Sequence, residues 1–519
     1  MTESVTVPNT PQKGTITVHK TDSETGKPVT EAAAVFEIHA KTDIITGDGT
    51  VRYQAGELVD TITTTGGTAT SKPLYLGAYI VTEKTAPEGY VQNPQPQEVT
   101  LRYGGQSVEI VQESVTFENI PQRGKIVIQK NDTESGQPIT ASPAVFEVRA
   151  KTDVVTADGT IRCKVGELVD TLTTADGTAT SRPLYLGTYT VTEITAPEGY
   201  ILDDTPHDVT LFYGEQTVQI VTEGISIDNA PQMGTITLEK RDKETGKPII
   251  LSDATFAIRA KTEIVTGDGV VHYKAGELVD TLTTVQGVIA SKPLYLGAYT
   301  ITEITAPEGY ILDDTPHDVT LTYGGQSIEL VSENLSLDNA PQMGTITITK
   351  VDSETDKPII LSPATFEIYA AADITTPDGT VRYTKGQLVD TIQTKDGVAT
   401  SKLLYLGDYI VIETIAPEGY ILDTTPYEAV LVYAGQVATV KRMAMTGPVL
   451  DMELPDGQNG QEQPGTTVSD TDNNANIIIP NRPIPETPKT GDALPAQALT
   501  ITVCSMTALL LHRRKKHNR

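Results

Sequence analysis

The feature that most limits what this chain can fold into is a pentapeptide that keeps returning. Ala-Pro-Glu-Gly-Tyr stands at Ala86, Ala196, Ala306 and Ala416, each copy 110 residues after the one before. A period of that size is one domain, so the 519 residues are expected to form tandem domains with separate cores. In this register residues 13–121, 123–231 and 233–341 are complete repeats, and 343–483 is a fourth with an insertion at about 446–474, rich in Gly, Pro, Asp, Asn and Gln. The joints are only Pro121-Gln122-Arg123, Pro231-Gln232-Met233 and Pro341-Gln342-Met343. A proline restricts φ in each, which favours a stiff rod over loosely strung beads. Residues 1–12 align at the same offset with the end of repeat 1, since Glu3-Ser-Val-Thr matches Glu113-Ser-Val-Thr and Pro11-Gln12 matches Pro121-Gln122. They are expected to be the last strand of a preceding, truncated repeat, with Asn9 an acceptor lacking its partner and the stretch before Lys13 loosely docked at most.

Each repeat reads as short alternating runs broken by Gly, Asp, Asn and Pro, a β pattern with no long helical period. In repeat 1, Ile16, Val18 and Lys20 share one strand face, Tyr79, Val81 and Glu83 a second, and Val115, Phe117 and Asn119 a third. Each apolar row is read as ending in one polar group. The run Asp43–Tyr53 is expected to be a hairpin around Asp48-Gly49, and Gly56–Ile62 a further strand. Asp43 and Asp48 lack the dense alternating carboxylates of a calcium loop and are assigned to turn chemistry, so no metal and no cofactor are assigned.

The polar row-ends recur in register: Lys20, Glu83, Asn119; Lys130, Glu193, Asn229; Lys240, Glu303, Asn339; and Lys350 with Glu413. In the fourth repeat the expected asparagine position holds Val449, but Ile477, Ile479 and Asn481 restore the alternation and Pro483 follows as Pro121 follows Asn119. Asn481 is therefore the displaced partner. Burial drives a lysine and a glutamate toward their neutral forms. A neutral amine is a nucleophile, and a protonated carboxyl can polarise a neighbouring carboxamide and shuttle protons. Beside an asparagine the pair can expel ammonia and form an amide, helped by the proximity of groups held in one core. A buried salt bridge with an asparagine hydrogen bond would use the same residues; four registered triads favour the bond.

These residues resemble a known family. Val18-His-Lys-Thr-Asp22 is similar to the lysine strand, Tyr79-Ile-Val-Thr-Glu-Lys-Thr-Ala-Pro-Glu-Gly-Tyr90 to the glutamate-bearing E-box, and Phe117-Glu-Asn-Ile-Pro121 to the asparagine strand of SpaA-like, collagen-adhesin B-type isopeptide domains of Gram-positive surface proteins and pili. The resemblance implies an all-β chain of tandem prealbumin-like, Ig-like sandwiches, each seven-stranded with its first and last strands adjacent. It also implies that Glu83, Glu193, Glu303 and Glu413 catalyse a single-turnover Lys–Asn cross-link, so that the chain is not an enzyme with an outside substrate.

A net charge of −29 argues against a nucleic-acid or anionic-membrane ligand. The two cysteines, Cys163 and Cys504, cannot supply a disulfide framework. No export leader follows Met1, yet residues 493–511 form a mostly apolar run ending in His512-Arg-Arg-Lys-Lys516, the length and flank of a membrane stop. Directly before it, Thr487-Pro488-Lys489-Thr490-Gly491 resembles a sortase cell-wall sorting motif with Thr487 where leucine is usual. The order implies cleavage after Thr490, partners in sortase and peptidoglycan, transient insertion of a C-terminal helix, and a start that lies upstream of Met1. The expected function is the stalk of a cell-wall-anchored surface adhesin, projecting a missing N-terminal region toward a host or cell-surface ligand. A minor or basal pilus subunit is the alternative, a shaft subunit being disfavoured by the lack of a Tyr-Pro-Lys-Asn-like motif; ligand-binding adhesin repeats are another.

Overall fold

The computed structural model describes residues 2–436, 445–446 and 474–483. Among these every regular element is a β-strand. Two compact units are distinguished: Met1–Met343 with Ile374–Arg382 and Tyr433–Lys441, and Gly344–Asp373 with Tyr383–Val432 and Arg442–Arg519. The repeats share one plan, which the first of them shows in full.

Its strands are β1 (Lys13–Asp22), β2 (Val35–Ala40), β3 (Ile44–Ile45), β4 (Val51–Tyr53), β5 (Leu58–Thr63), β6 (Thr68–Thr70), β7 (Leu74–Tyr75), β8 (Gly77–Thr85), β9 (Gln97–Leu101) and β10 (Ile110–Asn119). One sheet sets β1 between β10 and the pair β6 and β7; the other runs β5-β2-β8-β9; β3 and β4 form a separate hairpin. Since β6 and β7 both pair with β1, they act as one interrupted strand, and the sandwich has the expected seven positions plus the hairpin. The first and last strands are parallel neighbours over their whole length.

Local sequence explains these elements. In β1, Thr, Ile and Val supply β-branched side chains, and every second residue is buried, which places Ile16 and Val18 against Phe36, Tyr79, Val81 and Phe117 in the core. Gly14 is required by the close approach of β10, because a β-carbon there would stand 2.3 Å from Val111 Cγ2. The hairpin turns at Asp48-Gly49, where Gly49 takes φ 81°. Asp48 accepts from Thr46 Oγ1, the Thr50 amide and Thr50 Oγ1, and these bonds pull its carboxyl down to about 2; Asp43 caps the Ala55 amide. Both carboxylates are occupied by turn contacts.

In the fourth repeat the last strand is Asn474–Asn481, parallel to Met343–Asp352 in the register that β10 holds with β1. Residues 2–11 are exposed and outside any strand. Gln12, the next residue, is docked, its side-chain amide donating to Gly105 O at 3.1 Å while its Oε1 accepts from the Gly104 amide at 3.0 Å.

Candidate functional site

Three strands deliver the polar row-ends to one place: lysine from β1, glutamate from β8 and asparagine from β10. Lys20, Glu83 and Asn119 are buried, at 0, 5 and 1 % exposure. Asn119 Nδ2 donates to both Glu83 oxygens, at 3.0 and 2.9 Å, and Glu83 Oε2 also accepts from the Asn93 amide at 2.7 Å. The carboxyl is thus fixed from two sides. Lys20 Nζ donates to Phe117 O at 3.0 Å and Thr21 O at 3.1 Å.

The other repeats place their triads alike, with the lysine turned toward its partners. Lys130 Nζ donates to Asn229 Oδ1 and lies 3.3 Å from Glu193 Oε1, and Asn229 Nδ2 donates to Glu193 Oε2 at 2.8 Å. Lys240 Nζ is 3.1 Å from Glu303 Oε1, while Asn339 Nδ2 donates to both Glu303 oxygens. In the fourth, Lys350 Nζ donates to Asn481 Oδ1 at 2.5 Å and lies 3.1 Å from Glu413 Oε1, which accepts from Asn481 Nδ2 at 3.2 Å. Ile477 and Ile479 are buried on the same face as Asn481.

Burial sets the protonation balance. It pushes Lys20 down to about 8 against the pull of Glu83 and Asp22, and it lowers Lys130, Lys240 and Lys350 from the ordinary lysine value. It also raises Glu83 and Glu193, opposed by hydrogen bonds and by the paired lysine. In the first two repeats burial thus shifts both the amine and the acid toward their neutral forms. Asn119 Oδ1 and Asn339 Oδ1 are buried without a hydrogen-bond partner, a cost of about 1–3 kcal/mol each.

Sequence reading missed part of this environment. The lysine does not end its inward row: Asp22 follows it, fully buried and opposite Asn119 in the strand register. Its Oδ1 caps the turn at Glu24 and Thr25, and its Oδ2 accepts from Tyr90 at 2.8 Å. The alternation of β1 extends by one more step to Asp22, which was the available signal. Phe146, Phe256 and Phe366 lie 5.6–5.9 Å from the lysine ammonium groups, an aromatic wall that no spacing rule picks out. The expected motif Thr487–Gly491, the apolar run 493–511 and most of the insertion lie outside the described residues. Among the described residues no helix is long and apolar enough to cross a membrane.

Comparison with known proteins places the fold. The chain resembles solved structures of the TIE protein of Bacillus anthracis (18 % identity, 92 % of this chain and 76 % of that one, TM-score 0.46). It also resembles BcpA, the major pilin subunit of Bacillus cereus (18 %, 64 % and 100 %, TM-score 0.25), and the major pilin SpaD of Corynebacterium diphtheriae (17 %, 64 % and 98 %, TM-score 0.21). No curated protein matches the chain. The SpaA prealbumin-like fold domain matches residues 14–114, 124–224, 234–335 and 344–443, stopping short of every triad asparagine. With four matches covering well over half of its length, the chain belongs to the SpaA prealbumin-like fold domain family.

Proposed function

We propose that the chain is a structural stalk of a sortase-anchored bacterial surface protein, in which each repeat seals itself with one Lys–Asn isopeptide bond. The observation that carries this reading is the buried Lys, Glu and Asn brought together by the same three strands in all four repeats, with the Asn–Glu bond present in each and the lysine in contact with its partners in repeats 2 to 4. In the proposed step the lone pair of neutral Lys Nζ attacks Asn Cγ. The Glu carboxyl hydrogen-bonds the carboxamide, takes a proton from the attacking nitrogen and passes one to the departing nitrogen. The Cγ–Nδ2 bond breaks, ammonia leaves, and the new amide joins Nζ to Cγ with glutamate regenerated. In the third repeat a cavity of about 230 Å³ lined by Lys240, Phe256, Glu303, Asp313 and His317 adjoins the triad and offers ammonia an exit. The reaction consumes its own nucleophile and runs once.

The cell-wall part of the proposal rests on sequence order alone, Thr487–Gly491 followed by an apolar run and a basic tail. Intact mass under denaturing conditions tests the bond. The full chain should weigh four ammonias less than its sequence, and Glu83→Ala should restore one of them. An unchanged wild-type mass removes the cross-link from the proposal whatever the fold.

A further inference from the structure

Successive repeats in the first compact unit meet through a plug and a socket. The plug is the turn of the next repeat's hairpin: Ala157 O accepts from the Thr30 and Glu31 amides, and Gly267 O accepts from Thr140 and Ala141. A hydroxyl-to-carboxylate bond repeats beside it, Thr25 to Asp158 at 2.7 Å and Ser135 to Asp268 at 2.5 Å. The linker glutamine forms a latch, with Gly214 donating to Gln122 Oε1 and Gly324 to Gln232 Oε1. This framework, which contains no cation, is common to both joints.

The charged contacts are not. Between repeats 1 and 2, Arg162 reaches Asp22 at 2.7 Å and Glu24 at 3.0 Å, Arg123 reaches Glu24 at 2.8 Å, and Lys27 donates to Thr160 at 3.1 Å. Arg162 and Asp22 side chains are 9 % and 0 % exposed, so this pair is largely shielded from water and salt. Between repeats 2 and 3 the three cationic positions hold His272, Met233 and Gln137. Glu134 there accepts from Tyr295 at 2.6 Å, and His272 stacks on that ring at 3.6 Å and bonds Thr266. Asp132 is 2 % exposed and takes its bonds from Glu134, Ser135 and Tyr200. Among the described residues no cation bridges Asp132 or Glu134. The hairpin Ile374–Arg382 restores the clamp onto repeat 3, with Arg382 on Asp242 at 2.6 Å and on Glu244 at 2.8 Å.

We infer that the joint between repeats 2 and 3 is more compliant than the joint between repeats 1 and 2, set by the loss of the arginine clamp that fastens its neighbour. The inference is independent of the cross-link, because it concerns contacts between repeats. Thr61, Thr171 and Thr281 are exposed, equivalent positions on successive repeats, suited to spin labels. In the full chain carrying Cys163→Ser and Cys504→Ser, labels at Thr61→Cys and Thr171→Cys read the first joint, and labels at Thr171→Cys and Thr281→Cys read the second. Double electron–electron resonance should give an undocked fraction about tenfold larger at the second joint, the ratio expected for one shielded charge-assisted contact. Adding His272→Arg with Met233→Arg should bring the second distribution toward the first. Equal undocked fractions at the two joints overturn the inference, as does a folded double variant whose distribution stays broad. The first comparison leaves every residue named in contact across either joint unchanged and decides the question even if the double variant fails to fold.

Discussion

Replacing Glu193 by glutamine is the most informative single perturbation of the proposed chemistry. The amide keeps the size of the carboxyl but cannot relay a proton between Lys130 and Asn229, so repeat 2 should fold and remain unsealed. Lys130 and Asn229 are 99 residues apart, and closing a loop of that length removes about 4.7 kcal/mol of unfolded-state entropy on the chain-entropy account. For a domain of this size that is a fall in melting temperature of roughly 20–35 °C for repeat 2 alone. Burial already pushes the Lys130 amine toward neutrality, so the unreacted lysine adds less to the loss than a fixed charge would. The fourth repeat is an internal control, because its pair is separated by 131 residues and the longer loop adds only about 0.2 kcal/mol. Glu413→Gln should therefore cost nearly the same. Calorimetry of the full chain, with hydrogen exchange to assign the early transition and intact mass to count ammonia, reads both effects. A Glu193→Gln chain with the wild-type mass, or with repeat 2 as protected as before, would refute the reasoning.

Further outcomes follow from the same geometry. Peptide mapping should join Lys350 to Asn481 and not to Asn473, Asn474 or Asn476, since Asn481 alone follows the buried Ile477 and Ile479. In Asn119→Ala, Lys20 stays a free buried amine whose folded pKa of about 8 lies below its unfolded value, so the folded state binds fewer protons between pH 8 and about 10.5 and repeat 1 should gain about 3 kcal/mol as pH rises through that window. Urea denaturation at several pH values checks this, and a dependence equally steep in the wild type would mean that its lysine is also free. Wall-released protein from a sortase-positive Gram-positive host should end at Thr490, and an intact basic tail on the mature chain would defeat the anchoring proposal.

How much was legible in the sequence depended on whether a signal was periodic. The strand rows of β1, β8 and β10 follow a period of two, and the 110-residue repeat shows each row four times, so Lys20, Glu83 and Asn119 stood out as polar residues in apolar rows. The displaced Asn481 was found in the same way. Asp22 was missed because a carboxylate at the start of an Asp-Ser-Glu-Thr-Gly stretch reads as turn chemistry, which it also performs through the Glu24 and Thr25 amides. Its burial comes from Tyr90 and from Arg162 of the next repeat, groups that no local pattern connects to it. The interruption between β6 and β7 was not visible either, because Ser71 leaves the strand to exchange bonds with Ile16.

The pentapeptide that exposed the repeats serves the joints more than the triads. Ala86 donates its amide to Gln216 of the next repeat at 3.0 Å, Gly89 accepts from the linker Gln122 amide at 2.8 Å, and Tyr90 meets Asp22. Gly89 holds φ 86°, which a side chain there would oppose. The motif thus ties the end of one repeat to the beginning of the next, across a linker in which only Gln122 separates the Tyr90–Pro121 bridge from Arg123, the first residue of the next strand. Under the proposed function, load entering at Lys13 runs along β1 to Lys20, crosses to Asn119 at the end of the parallel strand β10, and leaves within a few residues into Arg123. The hydrogen bonds of both sheets lie off that path. What yields first under tension is then the joint, and Arg123 and Arg162 hold the first joint where the second, with Met233 and His272 in their places, gives more readily.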